Sequence, residues 1–258
     1  MTEDPWANLK QFTDARIGLG RSGSAMPTRE VLNFALSHAM ARDAVTTPID
    51  WTPIEKGLSD LGLAALRISS ATHDRSEYLR RPDLGRKLSD TSREALVRAS
   101  EMEVARPDLV VLVGDGLSSM GVAANTVAYM KAFLPYVVQN GWNLSPLLLA
   151  DDARVALGDE AGEILGGKAV LVLIGERPGL SSPDSLGIYL TLSPRVGIKD
   201  ADRNCISNIR QRGLSYDEGA FKTAWLLREA FRRGLTGVSL KDESQFLIDA
   251  QKGPELIK

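Results

Sequence analysis

Three runs in this chain hold apolar residues with nothing polar between them: Leu109–Val113 (LVVLV), Leu147–Ala150 (LLLA) and Ala169–Ile174 (AVLVLI). A strand with one face in water alternates apolar and polar residues, and these do not. Runs of this kind suit strands covered on both faces, which is the situation in a parallel sheet with a helical layer on each side. The stretches between them have helical length. One runs from the Gly-Asp-Gly turn to about Asn140, where Pro135 is expected to break or kink it. Another, GDEAGEILGG, ends in the Gly166-Gly167 pair expected at a helix C-terminus. GIYLTLSP reads as a fourth strand. RNCISNIRQRG and SYDEGAFKTAWLLREAFRRG read as closing helices. The expectation is an α/β fold: a Rossmann-like, mostly parallel sheet flanked by helices, with an N-terminal helical segment.

The texture changes near residue 105. Residues 1–104 read as a helical and connecting region, and residues 105–258 as the Rossmann-like α/β domain. In the first part, PTREVLNFALSHAMARDAV sets Val31, Leu32, Ala35, Leu36, Ala39 and Met40 on one helical face. A short helix is expected over Ile54–Leu61. SEYLRRPDLGRKLSDTSREALVRA reads as a basic loop and then a helix from Asp90.

In an open α/β sheet the ligand crevice lies at the C-terminal ends of the strands. Two polar segments fall there, GDGLSS (114–119) and GERPGLSSPDS (175–185). The second is longer than a turn needs, and its hydroxyls and charges suit a polar ligand. GDGLSS suits either an anion-binding nest or a turn with Ser118 or Ser119 as N-cap. GLGRSG (18–23) matches a dinucleotide fingerprint only literally, because the polar NLKQFTDARI precedes it rather than a strand. It reads as a flexible connector.

Composition narrows the function. Lys and Arg number 31 against 33 acids, a net charge of −2. Nucleic-acid binders show a basic excess, so a nucleic-acid partner is not expected. No run approaches the ~20 apolar residues of a membrane span. The N-terminal MTEDPWANLK is unlike a secretory signal, so a cytoplasmic location is expected. The single cysteine, Cys205, excludes an internal disulfide. It reads as a residue at a helix start, where a thiol pKa can fall, or as inert packing. The histidines are His38 and His73 only, neither near a strand end, and no group has metal-ligand spacing. The chain thus offers a binding crevice without its own acid–base or nucleophilic set, so no catalytic residue and no metal ligand is assigned. Two readings from other classes stand beside this one: a non-catalytic Rossmann-like nucleotide-binding module using Gly114–Ser119, and a hydrolase using Ser118 or Ser181.

GERPGLSSPDSLGIYLTLSP and DADRNCISNIRQRGL, with YLRRPDLGRKLS, LVVLVGDGLSS and EILGGKAVLVLIGERPGL in the same order, closely resemble the small-subunit family of ethanolamine ammonia-lyase. The resemblance covers roughly Thr13 to Arg233. It implies an adenosylcobalamin-dependent radical conversion of ethanolamine to acetaldehyde and ammonia. The large subunit, a barrel, carries the substrate site, and the small subunit closes over the cofactor. The family's cobalamin-contacting residues match Val155, through its backbone carbonyl, Glu176 and Cys205. A corrin rimmed with amides suits a carbonyl and a carboxylate as acceptors. No D-x-H-x-x-G motif is present, so the cofactor is expected base-on, with dimethylbenzimidazole on cobalt. Family members often carry an N-terminal extension associated with packaging into a bacterial microcompartment. The resemblance begins almost at the start of this sequence, so a free cytoplasmic enzyme is expected rather than a packaged one.

Overall fold

The three unbroken apolar runs are strands in the interior of one six-stranded sheet. The computed structural model describes residue 9 and residues 16–21, 24–102 and 105–244. The elements in chain order are α1 (Thr28–Thr46), α2 (Thr52–Asp60), β1 (Ala65–Ser69), α3 (Arg75–Arg80), α4 (Asp90–Met102), β2 (Leu109–Gly114) and α5 (Ser119–Asn140). They continue with β3 (Leu147–Asp151), α6 (Leu157–Ile164), β4 (Ala169–Gly175), β5 (Leu186–Leu192), β6 (Asn204–Ile209) and α7 (Tyr216–Arg233). Strand order is β1-β3-β2-β4-β5-β6. Every residue of β2 and β4 is buried. Leu109, Val111 and Val113 face α2, α5 and α7, while Val110 and Leu112 face α4 and α6. Burial on both faces is why these strands show no alternation.

The sheet is parallel over most of its width, as expected, but two antiparallel strands make it mixed. β1, β3, β2 and β4 pair in parallel, whereas β5 and β6 pair antiparallel. The chain returns from β4 to β5 through a loop at one end of the sheet, with no crossover helix, so β5 must run backwards. RNCISNIRQRG is not a helix. Residues Asn204–Ile209 form the edge strand β6, with Ile206 buried toward α7 while Cys205 and Ser207 are exposed. That is period-two alternation, and the segment is too short to show a helical repeat. β1 was hidden too, because an edge strand centred on Arg67 lacks an apolar run. It brings a strand from the first 104 residues into the sheet.

Other differences are local. α5 continues through Pro135 to Asn140. Ser118 caps its N-terminus, its hydroxyl accepting from Gly121 N at 3.0 Å, and Gly141 ends it with φ 64°. Packing along the helix, including the Tyr129 hydroxyl donating to Thr223 Oγ1 at 2.9 Å, outweighs one lost hydrogen bond. The basic loop contains the short helix α3. α1 forms where its sequence predicts, but its apolar face is not core: only Ala44 is buried, and Val31, Leu32, Leu36 and Met40 are exposed. Ser22 and Gly23 of the GLGRSG segment lie outside the described residues. No described helix is long and apolar enough to cross a membrane.

A buried ion pair fixes the start of β6. Arg203, 6% exposed, donates from Nη2 to Asp159 Oδ2 at 2.7 Å and to Ile198 O at 3.0 Å. Its Nη1 reaches Asp159 Oδ1 and Thr191 Oγ1. The pair ties α6, β5 and β6 together. Removing one member strands the other charge in the interior, so Asp159→Asn is expected to lose about 3 kcal/mol or more of stability. Urea unfolding with an unchanged m-value measures this, and a loss below about 1 kcal/mol would mean the pair does not hold the edge strand.

Candidate functional site

The crevice is built from two backbone turns pressed together. After β2 the chain turns through Asp115 and Gly116, and after β4 it enters the loop 176–185. Gly116 has φ 58°, and a Cβ there would lie 2.4 Å from the Gly175 carbonyl oxygen. A Cβ on Gly175 would lie 2.0 Å from Ser118 O. Only glycine permits so close an approach. Leu117 N then donates to Gly175 O at 2.9 Å. The Ser118 hydroxyl donates to Pro183 O at 2.6 Å, and the Asn125 amide to Asp184 O at 2.7 Å. Ser119 donates to Thr47 O at 2.8 Å. Ser118 is therefore an N-cap and loop clamp, fully buried, with no freedom to act as a nucleophile.

Above this seam opens a cleft of about 710 Å³. Val155 and Glu176 both line it, with Tyr78, Arg154, Arg177, Tyr189, Asn208 and Arg210. Glu176 Oε2 accepts from Asn208 N at 3.0 Å. Its carboxylate lies over Gly187, where a Cβ would meet Oε1 at 2.9 Å. The Val155 carbonyl accepts from Gly158 N at 3.1 Å and keeps a second lone pair. Cys205 does not line the cleft. It sits on β6 directly opposite Tyr189 in the ladder, with an exposed thiol 3.3 Å from Ser207 Oγ. It is neither at a helix start nor buried, so both local readings of this cysteine give way to an open strand face. Burial pushes the Tyr189 phenol well up, and the neighbouring Cys205 and Glu176 push it further.

Beneath the cleft, Arg75 ties three other chain segments to α3. Nε donates to Val45 O at 2.9 Å, Nη1 to Asp115 Oδ2 at 2.8 Å and Asp152 Oδ1 at 3.0 Å, and Nη2 to Gly116 O at 2.7 Å. The guanidinium also stands 4.6 Å from the Tyr78 ring centre. Ala153 N donates to Asp115 Oδ1 at 3.1 Å. This network holds the ends of α1, β2 and β3 in fixed relation to Tyr78 on the cleft wall.

Neither histidine lies here: His38 is on α1, and His73 is exposed before α3. Among the described residues no group of three or more His, Cys, Asp or Glu could hold a metal ion. The cleft offers hydrogen-bond acceptors, hydroxyls and arginines, the means to bind and orient a large polar molecule.

The family model for the ethanolamine ammonia-lyase light chain (EutC) matches residues 3–241. The chain belongs to this family. It is 47% identical over 258 residues to a Pseudomonas fluorescens ethanolamine ammonia-lyase small subunit, covering 100% of this chain and 93% of that one. It is 52% identical over 241 residues to the protein of the same name from Xanthomonas campestris pv. campestris, covering 93% and 89%. A Pseudomonas aeruginosa protein of that name is 49% identical over 243 residues, covering 94% and 89%.

Several cleft residues escaped the sequence reading. Tyr78 and Arg154 come from segments read as connections, and Asn208 from one read as helix. The only signal for Tyr78 was its place in the basic stretch YLRRPDLGRK. Nothing in the sequence links Arg75 to Asp115, since the contact spans 40 residues.

Burial pushes Asp115 up to about 7, against the pull of Arg75, and the nearby Asp152 adds to the rise because two carboxylates share one guanidinium. Between about pH 4 and pH 7 the folded chain then holds a proton that the unfolded chain has lost. Stability from this group is full below pH 4 and falls as pH rises to 7, by up to about 1.4 kcal/mol per unit. On acidification from pH 8 to pH 5 the wild type is expected to gain stability relative to Asp115→Asn. Denaturant titrations of both proteins across that range check it, and a constant difference would place the carboxylate in its ordinary range.

Proposed function

We propose that this chain is the small subunit of an ethanolamine ammonia-lyase. Its strand-end cleft forms one wall of an adenosylcobalamin site that the large subunit closes. The observation that carries this is the convergence of Val155 and Glu176, 21 residues apart in sequence, on one cleft in a chain of this family. Cys205, one strand beyond Tyr189, extends the same sheet face. The donor set fits the group. Corrin amides donate to carbonyls and carboxylates, and Val155 O and Glu176 present those acceptors at a polar mouth.

The bound cofactor supplies the radical that begins the conversion of ethanolamine to acetaldehyde and ammonia. The residues of this chain bind and orient. Glu176, already braced by Asn208 N, is held in one rotamer and loses little freedom on accepting from a ligand amide. Val155, on the cleft wall just before α6, has its carbonyl fixed by the bond from Gly158. Cys205 and Tyr189, opposite each other on β6 and β5, lie on a face from which a partner can exclude water. No histidine lines the cleft among the described residues, so this chain would offer no imidazole nitrogen to the cobalt. No group of this chain is assigned a proton-transfer or nucleophilic role.

A partner is also supported by α1. Six large apolar side chains from Met26 to Met40 are at least 41% exposed. Exposed large apolar side chains in this number on one helix suit a subunit interface. The residue before its C-terminal Thr46, Val45, accepts from Arg75, which places the helix beside the cleft.

The test is reconstitution. Purified alone, the chain with adenosylcobalamin and ethanolamine is expected to form no acetaldehyde. Mixed with the large subunit, it is expected to retain corrin absorbance through gel filtration and to turn over ethanolamine. Acetaldehyde from the isolated chain, or a two-subunit complex that keeps no corrin, would contradict the proposal.

A further inference from the structure

The chain carries a net charge of −2, yet the cleft wall is cationic. Three arginines, Arg154, Arg177 and Arg210, line it against one carboxylate, Glu176. Arg210 is held from within the chain: its Nε donates to Asn208 Oδ1 at 2.9 Å, and Asp184 lies 3.8 Å from Nη1. Arg154 and Arg177 are different. Arg154 stacks its guanidinium 4.3 Å from the Tyr78 ring centre and donates from Nη2 to Tyr78 O at 3.4 Å. Its Nε is buried without a hydrogen-bond partner. Arg177 is exposed on the loop. Among the described residues neither arginine is in an ion pair.

Stacking on Tyr78 fixes the plane of Arg154, and Nη1, without an acceptor among the described residues, is the nitrogen left to be met from the cleft. Two guanidinium groups on one cleft, with the only carboxylate bonded to Asn208 N, ask for an anion. Each of the two is also the chain neighbour of a residue proposed for the cofactor: Arg154 precedes Val155, and Arg177 follows Glu176.

We propose that Arg154 and Arg177 form a phosphodiester subsite, and that its occupant is the phosphodiester in the nucleotide tail of the cobalamin. This inference rests on the cofactor reading above. A phosphodiester carries one negative charge over two free oxygens and accepts forked hydrogen bonds from guanidinium. The corrin then lies toward Glu176 and Cys205, and the tail toward the arginines. A free phosphate is the competing source of the same chemistry, but it would leave most of the cleft empty.

The experiment uses the complex of this chain with its large subunit. Cyanocobalamin and cobinamide, a corrin without the phosphodiester and base, are each titrated by absorbance of the retained corrin. Wild type, Arg177→Gln, Arg154→Gln and Arg154→Lys are compared. Arg177 is exposed, so its variant tests the subsite without risk to folding, and unfolding midpoints check the Arg154 variants. Each Gln variant is expected to weaken cyanocobalamin by about tenfold or more while leaving cobinamide unchanged. Arg154→Lys is expected to recover part of the loss, and inorganic phosphate to compete with cyanocobalamin in the wild type but not in Arg177→Gln. Equal weakening of both corrins, or no weakening of cyanocobalamin, would overturn the subsite while leaving the cofactor reading intact. So would phosphate binding that does not compete with cyanocobalamin. A wild-type complex that retains neither corrin would overturn the cofactor reading and the subsite with it.

Discussion

Everything at the crevice depends on a backbone seam. The turn after β2 and the loop after β4 touch through Gly116 and Gly175, at distances where any side chain would collide with a carbonyl. The contact is polar as well as close, since Leu117 N, the Ser118 hydroxyl and the Asn125 amide all bond across it. This explains why a buried strand runs into so long a polar loop. Loop 176–185 is one half of a clamp, and Glu176 stands at its hinge with β4. The seam sets where Glu176 can be, and Arg75 beneath it sets where Tyr78 can be.

A second constraint positions the other side of the site. β5 and β6 run antiparallel, so Tyr189 and Cys205 come opposite each other rather than in a crossover arrangement. The Asp159–Arg203 pair anchors β6 to the first turn of α6 with a buried bidentate contact. The face that results carries the exposed Cys205 thiol and Ser207 hydroxyl beside the half-buried Tyr189 phenol, which suits a molecule to be enclosed between two chains.

The interior was legible from sequence because its physics is local to each run. LVVLV and AVLVLI are apolar on both faces, and no other burial fits them. The helix signals at Ser118 and Gly166-Gly167 also correspond to real ends. The edges were not legible. β1 and β6 are short and amphipathic, so tertiary pairing decides them, and β6 reads equally as a helix until Tyr189 is placed beside Cys205. Pro135 does not break α5, because packing along the helix outweighs the lost bond. α1 forms where its helical period places it, but an apolar face says only that something covers it, not that this chain does. Val155, Glu176 and Cys205 came from resemblance. The arginines and tyrosines around them came only from the fold, because they sit on segments up to about 130 residues apart.

The account's central claim is that one face of this chain, running from Val155 and Glu176 across Tyr189 to Cys205, is covered by cobalamin. Cys205 is the only cysteine in the chain and its thiol is exposed. The most direct test is the alkylation rate of this one thiol in the two-subunit complex, read by mass spectrometry of the peptide that contains it, with and without cyanocobalamin. The account predicts that the cofactor slows labelling strongly. The same rate in both states would contradict it.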